Sequence, residues 1–381
     1  TNESWYTISS PLMGNVALSD VESLIPTTNN YDLYRYDEPT SVWQNVKQTS
    51  NNFANLENGR GYLYANEYDA TLSFAGELNG DDVTYHLSKT ENIALSGFHL
   101  IGNPFTHNIY KGVGAAIDDN NLAAGYYTLS DAGAWGAKIS DDIPIAPGQG
   151  ILVKTSKEGD VKIKKTNTQP SQKSNADILA ITVNNNEYED KAFAVFEDGV
   201  ALEKVNHQNQ DVPMIYLPVD DANYAVAMLD DNIKDIPLSF KANTMGEYTI
   251  TINSDNRGFE HIYLVDSQTG NVTNMLVDEY TFIATTNDNP NRFVIKLYDV
   301  DSVNEIGDSE NYIYIDNGDL VVGNIKGAAS IDIYDILGRD VVKLETTDKE
   351  VRKNVSEFNM GIYIVRITDD NGVKTRKVIV E

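Results

Sequence analysis

The residues that could do chemistry are few for a chain of 381 residues. Five histidines occur, His86, His99, His107, His207 and His261, each standing alone in the sequence. No Gly-x-Ser-x-Gly elbow, His-Glu-x-x-His pair or phosphate-binding glycine loop is present, so the usual signatures of serine hydrolases, zinc proteases and nucleotide enzymes are missing. There is no cysteine, which removes thiol nucleophiles, thiolate metal sites and disulfides. Carboxylates are abundant, but a glycosidase pair needs a set separation across a cleft that a count does not supply. Acidic doublets at Asp81-Asp82, Asp118-Asp119, Asp220-Asp221 and Asp230-Asp231 offer oxygen ligands for calcium, yet none sits in a spaced D-x-D-x-D-G loop. They read as solvated turns, with Asp118 and Asp119 in Asp118-Asp-Asn-Asn121 as the weak calcium candidates. The chain reads as a non-enzyme without a cofactor, that calcium site apart.

Binding chemistry is better represented. Tyr34, Tyr36 and Trp43 recur as Tyr126, Tyr127 and Trp135, and each set falls on a hairpin, around Asp37-Glu-Pro-Thr40 and Asp131-Ala-Gly133. Exposed rings, Trp43 and Trp135 above all, would stack on a glycan. The plainer reading, which the pattern favours, makes them core and cross-strand pairs, because strands enrich Tyr and Trp in any case.

The formal charge of −28 argues against nucleic acid, whose binding needs basic surface to release counterions, and against direct attraction to an anionic membrane. Residues 311–381 hold 10 Lys+Arg and 12 Asp+Glu, which leaves −26 upstream. No apolar run approaches the roughly 20 residues that span a bilayer as a helix. Thr1 opens almost directly onto a strand pattern, as expected if a signal peptide has been removed or the chain is a fragment of something longer.

An internal repeat organises the front. Trp5-Tyr-Thr-Ile-Ser-Ser-Pro11 matches Phe98-His-Leu-Ile-Gly-Asn-Pro104 at an offset of 93, Trp43 matches Trp135 at 92, and Asn58-Gly-Arg-Gly-Tyr-Leu-Tyr-Ala65 matches Pro147-Gly-Gln-Gly-Ile-Leu-Val-Lys154 at 89. Two copies of one all-β unit, about residues 1–88 and 89–165, account for this. The copies could share a sheet or form a pseudo-symmetric sandwich. Residues 166–176 are polar, contain proline and read as a linker. Residues 177–299 hold nine short strand candidates at regular spacing, the signal of an antiparallel β-sandwich, with Asp266 and Gly270 bracketing a tight hairpin. Residues 300–310 form a second, acidic linker.

The final block, 311–381, is a small β module. Asp335 stands three residues before Gly338, which suits a type I turn closing on positive φ between Ile331–Ile336 and Val341–Leu344. In Gly361–Thr368 the period of two places Tyr363, Val365 and Ile367 on one face and Ile362, Ile364 and Arg366 on the other.

These residues resemble the C-terminal sorting domain of proteins exported by the type IX secretion system of Gram-negative bacteria. The resemblance is carried by Tyr312–Ile315, the I-Y-D-x-x-G-R hairpin with Tyr334, Gly338 and Arg339, the G-x-Y-x-V strand with Gly361 and Tyr363, and the basic last strand with Lys374 and Lys377. Phe358-Asn359-Met360 stands where a Leu-Pro or Leu-Ala pair usually precedes the glycine. The front repeat resembles one common in cargo of the same route, and residues 177–299 resemble the Ig-like or jelly-roll module that often precedes the sorting domain. The resemblance implies an all-β chain of tandem sandwich modules, the type IX machinery as a partner, and a secreted or outer-membrane surface location. It also implies adhesion or binding of a surface glycan or protein ligand. Asp301-Ser302-Val303 resembles the sites at which some of these bacteria attach O-glycans. The alternatives are the non-catalytic C-terminal region of a larger secreted hydrolase and a carbohydrate-binding module.

Overall fold

The computed structural model describes residues 4–27, 30–139, 143–170, 177–220, 222–255, 259, 261–298, 312–316, 319–323, 325–356, 358–370 and 372–380. Its architecture is all-β, and no α-helix occurs among the described residues. The front repeat is realised in two four-stranded sheets of the same strand order. In the first copy Tyr6–Ser9 pairs with Gly61–Asn66, which pairs with Tyr31–Asp37 and then Val42–Asn45. In the second, Phe98–Gly102, Gly150–Lys154, Tyr126–Leu129 and Trp135–Lys138 take the same order.

The register repeats as well. Ser9 opposes Gly61 as Gly102 opposes Gly150, and Tyr34 opposes Leu63 as Tyr127 opposes Leu152. Trp43 lies across from Tyr36 and Trp135 across from Leu129. The repeated motifs therefore fix pairing partners, because a one-residue slip would turn every side chain to the wrong face.

The copies keep separate four-stranded sheets that meet along their opening and glycine-bearing strands. Thr7 Oγ1 donates to the Gly150 carbonyl at 2.8 Å, and the Gly102 N–H donates to the Gly59 carbonyl at 2.9 Å. A Cβ on Gly61 would come within 2.8 Å of Leu100 Cγ and 2.9 Å of the Ile101 carbonyl oxygen. The Gly-x-Gly motif is thus a close-approach device at the seam between copies.

The boundary between copies shifts from the expected 88/89. Val83–Leu87 pairs along its whole length with Gly159–Ile163, and its Val83 and Leu87 belong to the second copy's core with Ile101, Ile151 and Val161. The first copy's core ends earlier, with Leu12, Leu24, Leu33, Leu56 and Tyr62 at its centre and Phe74 at its margin. Spacing located the motifs but could not say with which copy an unmatched strand would pair.

Residues 177–298 form one eleven-stranded sheet, and its core runs from Leu179 and Ile181 through Phe240 and Tyr248 to Phe293 and Ile295. Two short strands escape the expected nine, Leu202–Glu203 and Val272–Asn274. The expected antiparallel pattern also breaks once, because Phe193, Ala194 and Val195 pair in parallel with Val226, Ala227 and Met228. Asp266 and Gly270 do close a tight hairpin, through a Gly270 N–H to Asp266 carbonyl bond of 2.7 Å and a Gly270 φ of 81°. Its carboxylate is buried against Arg292 at 2.9 and 2.6 Å and accepts from Tyr280 Oη at 2.7 Å. Burial pushes the Asp266 carboxyl up, but the hydrogen bonds and charge of Arg292 with the Tyr280 hydroxyl outweigh it and hold it below the usual range.

The linker at 166–176 does not separate two independent bodies. Phe98, Tyr127, Trp135 and Leu152 of the front share a core with Phe193, Val195, Leu202, Val205 and Val226 of the sandwich. The Ala124 N–H donates to the Val200 carbonyl at 2.9 Å, and Tyr127 Oη donates to the Glu203 carbonyl at 2.6 Å. A polar connecting segment reports a change of local composition; it does not report whether the flanking units bury apolar surface against each other.

Candidate functional site

The C-terminal module is a two-sheet sandwich built around the residues the sequence singles out. Tyr312–Asp316, Asp319–Gly323 and Glu350–Asn354 make one sheet; Asp340–Thr346, Ala329–Asp335, Gly361–Asp369 and Gly372–Val380 make the other. Tyr363, Val365 and Ile367 are buried with Ile313, Leu320, Val322, Ile331 and Ile333, all of them from this module. Ile362 and Ile364 are half-buried and Arg366 is exposed, as the period of two requires.

The hairpin is organised by one carboxylate. Asp335 Oδ1 accepts from the Leu337 N–H at 2.9 Å and the Arg339 N–H at 3.0 Å, and Oδ2 accepts from Arg339 Nε at 2.6 Å. These bonds hold the Asp335 carboxyl below its usual range, the Arg339 N–H first among them. The Gly338 N–H donates to the Asp335 carbonyl at 2.9 Å, and Gly338 takes φ 77°. The motif spacing is therefore a turn prescription: an Asp to collect the loop amides, a Gly for the left-handed residue, and an Arg to close back on the Asp.

Tyr334 is half-buried on the strand leading into this turn, and Arg339 is exposed. Tyr363 is anchored by donating Oη to the Asn359 carbonyl at 2.8 Å and by packing its ring 5.2 Å from Phe358. Gly361 opens its strand at φ 155°. Lys374 and Lys377 lie on Gly372–Val380, a strand at the sheet edge, where lysines discourage pairing with other chains. Replacing Gly338 by Val should cost about 1–2 kcal/mol, since a branched residue is forced into the left-handed region. Faster amide exchange along Ala329–Thr346 would report it, and unchanged exchange would show that the turn does not need the glycine.

The decisive comparison concerns this module. Residues 309–381 match the family described as secretion system C-terminal sorting domain. The chain is type IX secretion cargo. The sorting domain sends it to the cell surface or the extracellular space and implies contact with the type IX machinery. Residues 206–297 of this cargo protein match a domain of unknown function, DUF8693, which covers most of the sandwich. No curated protein matches the chain. Among solved structures, 78% of this chain aligns at 10% identity with PorZ, described as an essential bacterial surface component of the type-IX secretion system of Porphyromonas gingivalis. That alignment spans 51% of the PorZ chain with a TM-score of 0.18, which is too low to carry any inference.

The remaining expected sites fare differently. Trp135 is only 2% exposed, its backbone N–H donates to His207 Nδ1 at 3.1 Å, and Tyr126 and Tyr127 are equally buried. None of the three offers a stacking face: the sandwich covers Tyr127 and Trp135, and Tyr126 packs in the second copy's own core. In the first copy Tyr36 is buried, while Trp43 is half-buried with its ring 5.1 Å from that of Tyr36. These rings are taken up in cross-strand and core packing, the plainer of the two readings of the pattern. Asp118 and Asp119 are engaged locally: Asp118 Oδ2 accepts from the Gly114 N–H at 2.9 Å and lies 3.7 Å from Lys164 Nζ, and Asp119 Oδ1 accepts from the Asn121 backbone and side chain. No group of three or more metal-ligating side chains occurs among the described residues. Ser302 lies outside the described residues.

The structure shows instead a cleft that spacing could not predict. An open cavity of about 980 Å³ lies where the first copy, the Asp131–Gly133 hairpin of the second and the sandwich meet, with Trp5, Tyr31 and Tyr188 among its walls. Asn30, Asn66, Gln208, Asn209 and Gln210 supply amides, and Asp32, Glu67, Asp131 and Asp211 supply carboxylates. The three rings are half-buried, and Lys47 Nζ lies 4.8 Å from the Tyr31 ring centroid. Glu67, Asp131 and Asp211 are exposed, whereas Asp32 accepts from Asn45 Nδ2 at 2.9 Å and pairs with Lys47 at 3.5 Å. The one legible trace of this site was the polar run His207-Gln-Asn-Gln-Asp211 between two strands.

Proposed function

We propose that this type IX cargo is a non-enzymatic surface or secreted binding protein, and that its cleft takes a neutral, hydroxyl-rich glycan. The observation that carries the reading is the lining of the cleft. Half-buried rings of Trp5, Tyr31 and Tyr188 alternate with side-chain amides and carboxylates, the combination that stacks on the apolar face of a sugar ring and hydrogen-bonds its hydroxyls. Binding rather than turnover fits the carboxylates. A general acid at neutral pH needs a buried carboxyl, and those here are exposed or tied to Asn45 and Lys47.

A glycan array with the full chain should yield a defined set of neutral oligosaccharides. Trp5→Ala and Tyr188→Ala should each weaken the best of them by about tenfold, the worth of one good stacking contact, while Trp43→Ala leaves it unchanged. An array without binding, or equal loss in all three variants, would dismiss the cleft as the site.

A further inference from the structure

Asp190, Lys204 and His207 form a polar cluster sealed where the front packs on the sandwich. Asp190 is the second residue of the Glu189–Phe196 strand, and Lys204 and His207 follow the short Leu202–Glu203 strand. Their side chains are 0%, 2% and 2% exposed. Lys204 Nζ contacts Asp190 Oδ2, and the Ile215 N–H donates to that same oxygen at 2.7 Å. On the other side His207 Nε2 stands 3.5 Å from Asp190 Oδ1. Its Nδ1 accepts the Trp135 N–H, which places the proton of the neutral ring on Nε2. Asp190 Oδ1 and His207 Nε2 are both fully buried without a hydrogen-bond partner. An ion pair kept merely for stability is poorly placed here, since desolvation offsets its attraction and two unsatisfied polar atoms add to the cost.

We propose that Lys204 and Asp190 become joined by an intramolecular isopeptide bond, with His207 holding the oxygen on which charge develops. A proton passes along the contact from the Lys204 ammonium to Asp190 Oδ2, giving amine and acid. The Nζ lone pair attacks Cγ, the C–N bond forms, and the electron pair of the Cγ=Oδ1 bond moves onto Oδ1, the oxygen that His207 Nε2–H faces. The attacking nitrogen passes a second proton to the Oδ2 hydroxyl beside it, the Cγ–Oδ2 bond breaks, and one water leaves. The Oδ1 electron pair re-forms the carbonyl, and His207 keeps its Nε2 proton throughout. The products are one amide and one water; no oxidant or cofactor is consumed. Burial pushes the Lys204 ammonium below its usual range, which favours the free amine. Burial also pushes the Asp190 carboxyl up, but Lys204 and His207 outweigh it and keep it ionised at rest, so the neutral pair is the minor form and the bond should form slowly, once per molecule.

Such a bond would give a chain without cysteine a covalent tie within the sandwich, between the Glu189–Phe196 strand and the segment after Leu202–Glu203. The test is the intact mass of the purified full chain under denaturing conditions, after incubation folded. The expected mass is that of the sequence less one water, with a branched proteolytic peptide joining the segments that carry Asp190 and Lys204. Lys204→Arg, which keeps the charge, should restore the full mass, and His207→Ala should leave a mixture. Wild-type protein at full sequence mass would overturn the proposal, whatever the variants do. Loss of water that persists in Lys204→Arg would overturn it too, since the bond would then lie elsewhere.

Discussion

A chain ending before Tyr312 should accumulate in the periplasm with its remaining cores intact, and surface display should fall to background. The physical reason is that the sorting domain owns its core. Ile313, Leu320, Ile331, Val365, Ile367 and Val378 bury one another between two sheets, and none of the described residues of the front or the sandwich belongs to that cluster. Arg376 does reach the Gly270 carbonyl at 3.4 Å, but one long hydrogen bond from a half-buried side chain does not make a shared interior. Truncation therefore deletes an address without opening a neighbour. Cell fractionation with protease accessibility of intact cells reads the first half of the expectation, and the melting of the truncated protein reads the second. Normal display of the truncated chain would refute the assignment of the address. A melt displaced to lower temperature would refute the independence of the cores.

Trp135→Ala should destabilise the front and the sandwich together, by about 3–5 kcal/mol, the range for removing a buried large aromatic. Trp135 sits in a core with Tyr127 and Leu152 on one side and Phe193, Val205 and Val226 on the other, so the void would have walls from both regions. The change also disturbs the backbone amide that His207 accepts from, next to the buried Asp190 and Lys204. Chemical denaturation followed by amide exchange would place the loss. Protection should fall in Trp135–Lys138 and in Glu189–Phe196 alike. Loss confined to the second copy would show that the shared core does not couple the two regions. Trp43→Ala is the internal control. The same landmark in the first copy is half-buried with its ring tilted against that of Tyr36, so its removal should cost clearly less.

That contrast between Trp43 and Trp135 shows how legible the chain was. The two tryptophans occupy equivalent repeat positions, and the register across their hairpins is the same. Nothing local distinguishes them. Asp190 hid for a related reason: it shares strand parity with the buried Ala192, Ala194 and Phe196, a hint of an inward-facing carboxylate, but its partners lie on a connection whose path is not periodic. The cleft was invisible because Trp5, Tyr31, Tyr188 and Gln210 come from four separate segments. Asp119 accepts from the amide two residues on within its own loop, as an Asx turn does, whereas Asp118 accepts from the Gly114 amide four residues back.

What the amino-acid order settled unaided was everything that depends on neighbours along the chain. It includes the recurrence of the opening-strand and Gly-x-Gly motifs in both copies, the hairpins closed at Gly270 and Gly338, and the sorting strand with Tyr363, Val365 and Ile367 inward. Only the tertiary structure decided that Val83–Leu87 joins the second copy, that the sandwich buries Trp135, and that an aromatic and amide-lined cleft opens beside the first copy. The reason is physical. A period of two states which side of a strand must leave water, and a turn signature states where the chain reverses, but neither specifies which distant surface does the covering.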